Sequence, residues 1–162
     1  MSIYKKLQEL SIQLPPPAQP KGHYQVATVL EGRYLYTAGT GCAKDGKPLA
    51  AGQLGGEVSV EDGKAAARQC AINLLANMES CIGSLDRISR VIRTTVFVAS
   101  TADFKEQSAV GEGVSELFCA LFGPNGTGTR SAIGVSSLPG GQAVEIESIF
   151  ELKDGVEEGP AC

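Results

Sequence analysis

The sequence predicts an α+β domain in which one mixed β-sheet carries two helices on a single face. Three observations carry that expectation. Segments 60–83 and 106–122 repeat apolar residues at helical spacing. Other segments, above all RISRVIRTTVFVAS (87–100), are β-branched and partly alternating. Two long helices are also too few to sandwich so many strands, so they cover one side of one sheet. A chain of 162 residues has the length of one such domain.

The elements follow in order. Residues 2–12 place Ile3, Leu7, Leu10 and Ile12 near helical spacing, with Lys5, Lys6 and Glu9 opposite, which predicts a short amphipathic helix. LPPPAQPKG (14–22) breaks it, because proline lacks an amide donor and restricts its predecessor. Residues 1–22 therefore read as an N-terminal extension. HYQVATVLEGRYLYTAG (23–39) reads as two strands joined around Glu31-Gly32. AKDGKPL (43–49) carries an Asp-Gly turn, and the glycine-rich 50–58 reads as loop. Ser59 and Asp62 resemble a capping box at the start of the long helix. Ala67, Ala71, Leu74, Met78 and Ile82 form its apolar stripe, and Gly83 ends it. After the central strand, Val110, Val114, Leu117, Phe118 and Leu121 supply the buried face of the second helix, which Gly123-Pro124 terminates. Two last strands, within 128–152, are joined through Leu138-Pro139-Gly140-Gly141. The acidic stretch 153–162 reads as a frayed tail. Tyr34-Leu35-Tyr36 and Val96-Phe97-Val98 put apolar groups on both sides of their strands, so the uncovered sheet face calls for an oligomer.

Composition narrows the function. The net charge is −4 and no Lys/Arg run exists, so no nucleic-acid surface is advertised. No segment approaches the ~20 apolar residues of a membrane span, and the N-terminus lacks the pattern of a signal peptide. A cytoplasmic protein is expected. The five cysteines include no C-x-x-C spacing and read as thiols kept in a reducing compartment. Cys70 and Cys81, eleven residues apart on one helix, are too distant to bridge.

GCAKDGKP (41–48) imitates a phosphate-binding loop, but Pro48 offers no hydroxyl for Mg²⁺ and no helix begins there. A hairpin turn fits better. His23 is the only histidine and follows a proline-rich linker, so it reads as a loop residue. Asn125-Gly126-Thr127 reads as a turn. On the last strand, Glu145, Glu147 and Glu151 share one face while Val144, Ile146, Ser148, Phe150 and Leu152 share the other. If 138–142 is a tight connection, this strand returns past Arg130, and a guanidinium stands beside carboxylates. That pairing is either a surface ion pair or part of a site.

These same residues resemble a known family. RSAIGVSSLP (130–139) followed by VEIE (144–147), with VIRTTVFV (91–98) and Thr37-Ala38-Gly39 upstream, is similar to the YjgF/RidA family over roughly residues 23–152. The resemblance implies a chorismate-mutase-like fold, homotrimers built as a barrel of sheets, and inter-subunit clefts that hold small carboxylate metabolites. It implies hydrolysis of reactive 2-imino and enamino acids to 2-oxo acids and ammonia, with no metal and no organic cofactor. Carried over by position, Arg130 grips the substrate carboxylate and Glu145 positions water. Gly39 and Tyr24 contribute to substrate binding. Three positions depart from the pattern. Ala38 replaces a serine, Ala132 replaces a cysteine, and Glu112 falls near an asparagine, where a carboxylate would repel an anionic ligand. The alternative is a non-catalytic module that binds 2-oxo acids in the same cleft. RNA cleavage has no evident machinery here, given one histidine and no basic run.

Overall fold

The computed structural model describes residues 2–153. Its elements are α1 (Ile3–Glu9), β1 (Ala27–Leu30), β2 (Tyr34–Thr37), β3 (Thr40–Gly41), β4 (Ala43–Lys44), β5 (Lys47–Pro48), α2 (Val60–Ile82), β6 (Ile88–Ala99), α3 (Gln107–Phe122), β7 (Thr129–Val135) and β8 (Val144–Leu152). The main sheet runs β1-β2-β8-β6-β7, with β3 also paired to β8. It is mixed, because β7 runs parallel to β6 while the other pairings are antiparallel. The tail expected from 153 onward lies, past its first residue, outside the described residues.

The two long helices cover one face, and local chemistry explains their limits. Ser59 Oγ accepts a hydrogen bond from the Asp62 amide at 3.1 Å, capping the N-terminus of α2. Gly83 ends the helix in the left-handed region at φ 77°, where a side chain would be strained. The expected stripe of α2 is buried, as is that of α3. Gly113 lets the two helices touch: an added Cβ would collide with the Lys64 carbonyl of α2. Beneath them, Phe118, Phe122 and Phe150 stack with ring centroids 5.5–6.3 Å apart.

The N-terminal extension packs onto the domain. Ile3 and Leu7 of α1 join the core. Asp86 Oδ1 accepts from the Ile3 amide, and Lys6 Nζ donates to the Leu121 carbonyl at the end of α3, both at 2.7 Å. From there the chain crosses the molecule as a proline-rich strap. Its Ala18 amide donates to Asn77 Oδ1 on α2 at 2.8 Å.

Two expectations need correction. The strands β7 and β8 do not pair, because β6 lies between them and pairs with both. Glu151 therefore meets Arg33 and Arg90, at 2.8 and 2.6 Å, not Arg130. The reading of the cysteines as thiols holds for Cys42, Cys70 and Cys119, whereas Cys81 is disulfide-bonded. The segment 41–48 is the expected hairpin, with Asp45 and Gly46 both at positive φ. No helix among the described residues is long and apolar enough to cross a membrane.

Candidate functional site

A cleft of about 840 Å³ opens where β3 and β8 meet the strap and the β4–β5 hairpin. Four of the expected site residues line it: Tyr24, Ala38, Gly39 and Glu145. Each is placed by a different constraint. β8 alternates, so Val144 and Ile146 point into the core while Glu145 points to the face without helices. The register pairs Gly41 with Glu145, which brings the β3 backbone over this carboxylate. Gly39 leaves the Glu145 carboxylate its place, since a Cβ there would collide with it and the side chain would have to move. Ala38 is tied by its amide to the Val26 carbonyl at 2.9 Å. Tyr24 is 53% exposed and stands at the rim, where its hydroxyl accepts from the Lys21 amide at 3.4 Å.

The Glu145 carboxyl sits above the usual glutamate range. Burial penalises its charged form, and the nearby Glu147 carboxylate adds repulsion. That is the direction a proton-shuttling carboxylate requires near neutral pH. Glu151, at the other end of the strand, is held low by its bonds to Arg33 and Arg90. Two carboxylates of one row are thus set apart by environment, Glu151 by its arginine partners and Glu145 by burial beside a like charge.

Other residues of the cleft were not singled out by sequence. Asn73 and Asn77 lie four apart on α2 and face the β3–strap side. Asn73 Nδ2 donates to the Gly41 and Ala43 carbonyls at 2.9 and 2.8 Å, fixing the start of the hairpin. Asn77 holds the strap. Polar residues inserted at helical spacing beside an apolar stripe were the available signal. Gln142 also lines the cleft; its Oε1 is buried with no hydrogen-bond partner among the described residues. Among the described residues, no cluster of His, Cys, Asp and Glu could hold a metal ion. His23 is exposed and does not line this cleft.

The other three expected residues gather elsewhere. Arg130 stands opposite Thr94 on β6, which stands opposite Ser148 on β8, and these two partners are buried on the helix side. Glu145 belongs to the other face: it stands opposite Phe97 and, beyond it, Ile133, which is 45% exposed. Arg130 and Glu145 of one chain therefore point to opposite faces, with Cα atoms about 14 Å apart by standard sheet spacing. The guanidinium is fixed rather than free. Nη1 meets Glu112 Oε1 at 2.9 Å and donates to Ser115 Oγ at 2.8 Å. Nη2 donates to Ser108 Oγ and to the Ser108 carbonyl, at 2.9 and 3.2 Å. Glu112, expected to repel a ligand, instead occupies the arginine. Gly111 permits this, because a Cβ there would crowd the guanidinium at 3.2 Å. Ala132 lies two residues along β7 from Arg130 and packs against the core rather than lining the cleft.

Comparison with known proteins assigns the domain. The sequence profile of the family described as endoribonuclease L-PSP matches residues 16–151. Protein TCP17 of Trypanosoma cruzi is 41% identical over 153 residues, covering 94% of this chain and 95% of its own. The crystal structure of Atu1372 from Agrobacterium tumefaciens, a protein of unknown function, superposes with a TM-score of 0.86 at 36% identity, covering 93% of this chain and 92% of its own. A solved protein of Shewanella oneidensis MR-1 superposes with a TM-score of 0.89 at 26% identity, covering 94% of this chain and all of its own.

Proposed function

The chain belongs to the endoribonuclease L-PSP family, the YjgF/RidA group with its chorismate-mutase-like fold, and from that premise we propose that it hydrolyses reactive 2-imino acids to 2-oxo acids and ammonia without a cofactor. The observation that carries the proposal is Glu145, a half-buried carboxyl with a raised affinity for protons, placed against the Gly39 backbone in a cleft large enough for a small metabolite. Glu145 takes a proton from water as the oxygen adds to the C=N carbon. Glu145 returns that proton to the nitrogen to give the carbinolamine, then relays the carbinol O–H proton to the amine, and the C–N bond breaks with its electron pair going to nitrogen as the carbonyl forms. Ammonia leaves, and the overall change is imino acid plus water to oxo acid plus ammonia. An imine is already electrophilic, so holding water and substrate together is most of the task.

Arg130 grips the substrate carboxylate in this reading. It reaches a Glu145 cleft only from another copy of the chain, since its own Glu145 lies on the opposite face. To hold a carboxylate in two-pronged fashion it exchanges Glu112 for the ligand. The trimer implied by the family resemblance supplies such a neighbour. The half-apolar open face, with Tyr36 and Ile133 exposed, gives that neighbour a surface to cover.

The test is oxo-acid release from freshly generated 2-iminobutyrate. Arg130→Ala is expected to lower kcat/KM at least about a hundredfold, and Arg130→Lys to recover little, because an ammonium lacks the planar fork. Circular dichroism should show both variants folded. Saturable binding of 2-oxobutyrate with no acceleration of imine decay would replace the enzyme with a binding module. Equal rates in wild type and Arg130→Ala would remove Arg130 from the site.

A further inference from the structure

The Glu145 cleft has a charge problem. Its lining includes two carboxylates, Asp45 on the hairpin and Glu145 itself, and Glu147 stands close enough to repel Glu145. An anionic substrate entering it from solvent meets acidic groups. One cation among the lining residues offsets them. Lys21 sits on the strap, lines the same cleft, and has no ion-pair partner among the described residues.

Its position is built rather than incidental. The strap is fastened to α2 through Ala18 and Asn77, and Lys21 is fastened to Tyr24 through its backbone amide. Pro15 and Pro16, which also line the cleft, stiffen the approach to it. The backbone of Lys21 is thereby held over the cavity while its flexible stem and ammonium remain unengaged. Arg130 does not fill this role within the chain, being on the other face with its terminal nitrogens committed to Glu112, Ser108 and Ser115.

We propose that Lys21 is a substrate-binding residue that makes the Glu145 cleft selective for anionic over neutral carbonyl and imine ligands. It does so by placing an unpaired ammonium at the strap side of a cleft whose other charged lining residues, Asp45 and Glu145, are carboxylates. The inference rests on the ligand class proposed above and adds, beside Arg130 of a neighbouring copy, a second residue that discriminates it. A rim charge of this kind acts through a few bonds' length of partly screened field, so its contribution is modest and salt-dependent.

The experiment compares 2-oxobutyrate with its uncharged amide, 2-oxobutyramide, as ligands of the full chain, by calorimetric or NMR titration at low and at high salt. Lys21→Met is expected to weaken the acid about tenfold and leave the amide unchanged. Lys21→Arg should restore binding of the acid. The salt dependence of the wild type should flatten in Lys21→Met. Lys21 is exposed, so melting temperatures should match across the set. Equal affinity of wild type and Lys21→Met for the acid overturns the role of Lys21 and leaves the functional reading standing. Equal weakening of acid and amide also overturns it, since that pattern reports a disturbed strap rather than a lost charge. Failure of the wild type to bind the acid at all, with no imine hydrolysis, sinks the functional reading and Lys21 with it.

Discussion

Glu145→Gln is expected to abolish imine hydrolysis, with kcat falling about 10²–10⁴-fold, the usual worth of a positioned general base. Glutamine keeps the size of the side chain and its packing over Gly39, but the amide cannot take a proton from water. The same variant should be more heat-stable than the wild type at neutral pH. Burial and Glu147 raise the Glu145 affinity for protons above its unfolded value. The stability associated with the protonated form is therefore complete below the unfolded value and is lost as pH rises through the higher, folded one. The melting temperature of Glu145→Gln should exceed that of wild type at pH 7, and the difference should close as pH falls below the ordinary glutamate range of about 4. The wild-type rate should climb with pH through the raised carboxyl value, and Glu147→Gln, by removing a like charge, should move that limb toward lower pH. An unchanged kcat in Glu145→Gln would dismiss the carboxyl as the base. A pH limb that ignores Glu147→Gln would show that repulsion along β8 does not set its proton affinity.

Phe150→Ala is expected to cost about 3–5 kcal/mol of folding stability, a large share of the roughly 5–15 kcal/mol a domain possesses. The ring is fully buried and stacks edgewise on Phe118, with Phe122 tilted against it. Its backbone pairs with Leu35 on one side and Val91 on the other, so the space beneath cannot close without moving three strands. Phe150→Leu should cost much less, because most of the volume is retained. The measurement is denaturant unfolding at fixed protein concentration. A loss below about 1 kcal/mol for the alanine variant would mean that the aromatic trio does not hold helices to sheet. The site should feel this change indirectly, since β8 carries Glu145 at its other end.

Much of this architecture was legible in the residues. The stripe of α2, its Ser59 cap and its Gly83 stop are local signals, and local signals survive folding. The parity of β8 sorted Glu145, Glu147 and Glu151 onto one face correctly. What failed was strand order. The Leu138–Gly141 segment suggested a hairpin, yet β7 joins β6 in parallel by a crossover through α3, and β6 then separates β7 from β8. Order in a sheet is decided by which strands can be connected and buried together, and the strand–helix–strand succession of β6, α3 and β7 was itself a parallel-crossover signal. The misplacement of Arg130 beside the carboxylates followed from that one error. Glu112 was read as a repulsive wall because nothing in a linear sequence shows that α3 lays it on Arg130. The strap residues stayed invisible for a similar reason: a proline-rich linker reads as a connection until Asn77 is seen to hold it down.

The placement of Arg130 and Glu145 on opposite sides of one sheet has a genetic consequence. In the proposed ring of copies, each pocket draws its arginine from one protomer and its glutamate from the next. A protomer lacking the arginine and another lacking the glutamate are each inert alone, yet assembled together they leave some borders fully equipped. Random mixing in equal amounts would repair roughly a quarter of them. Two dead alleles would then rescue each other in one cell, which two lesions confined to a self-contained pocket could not do.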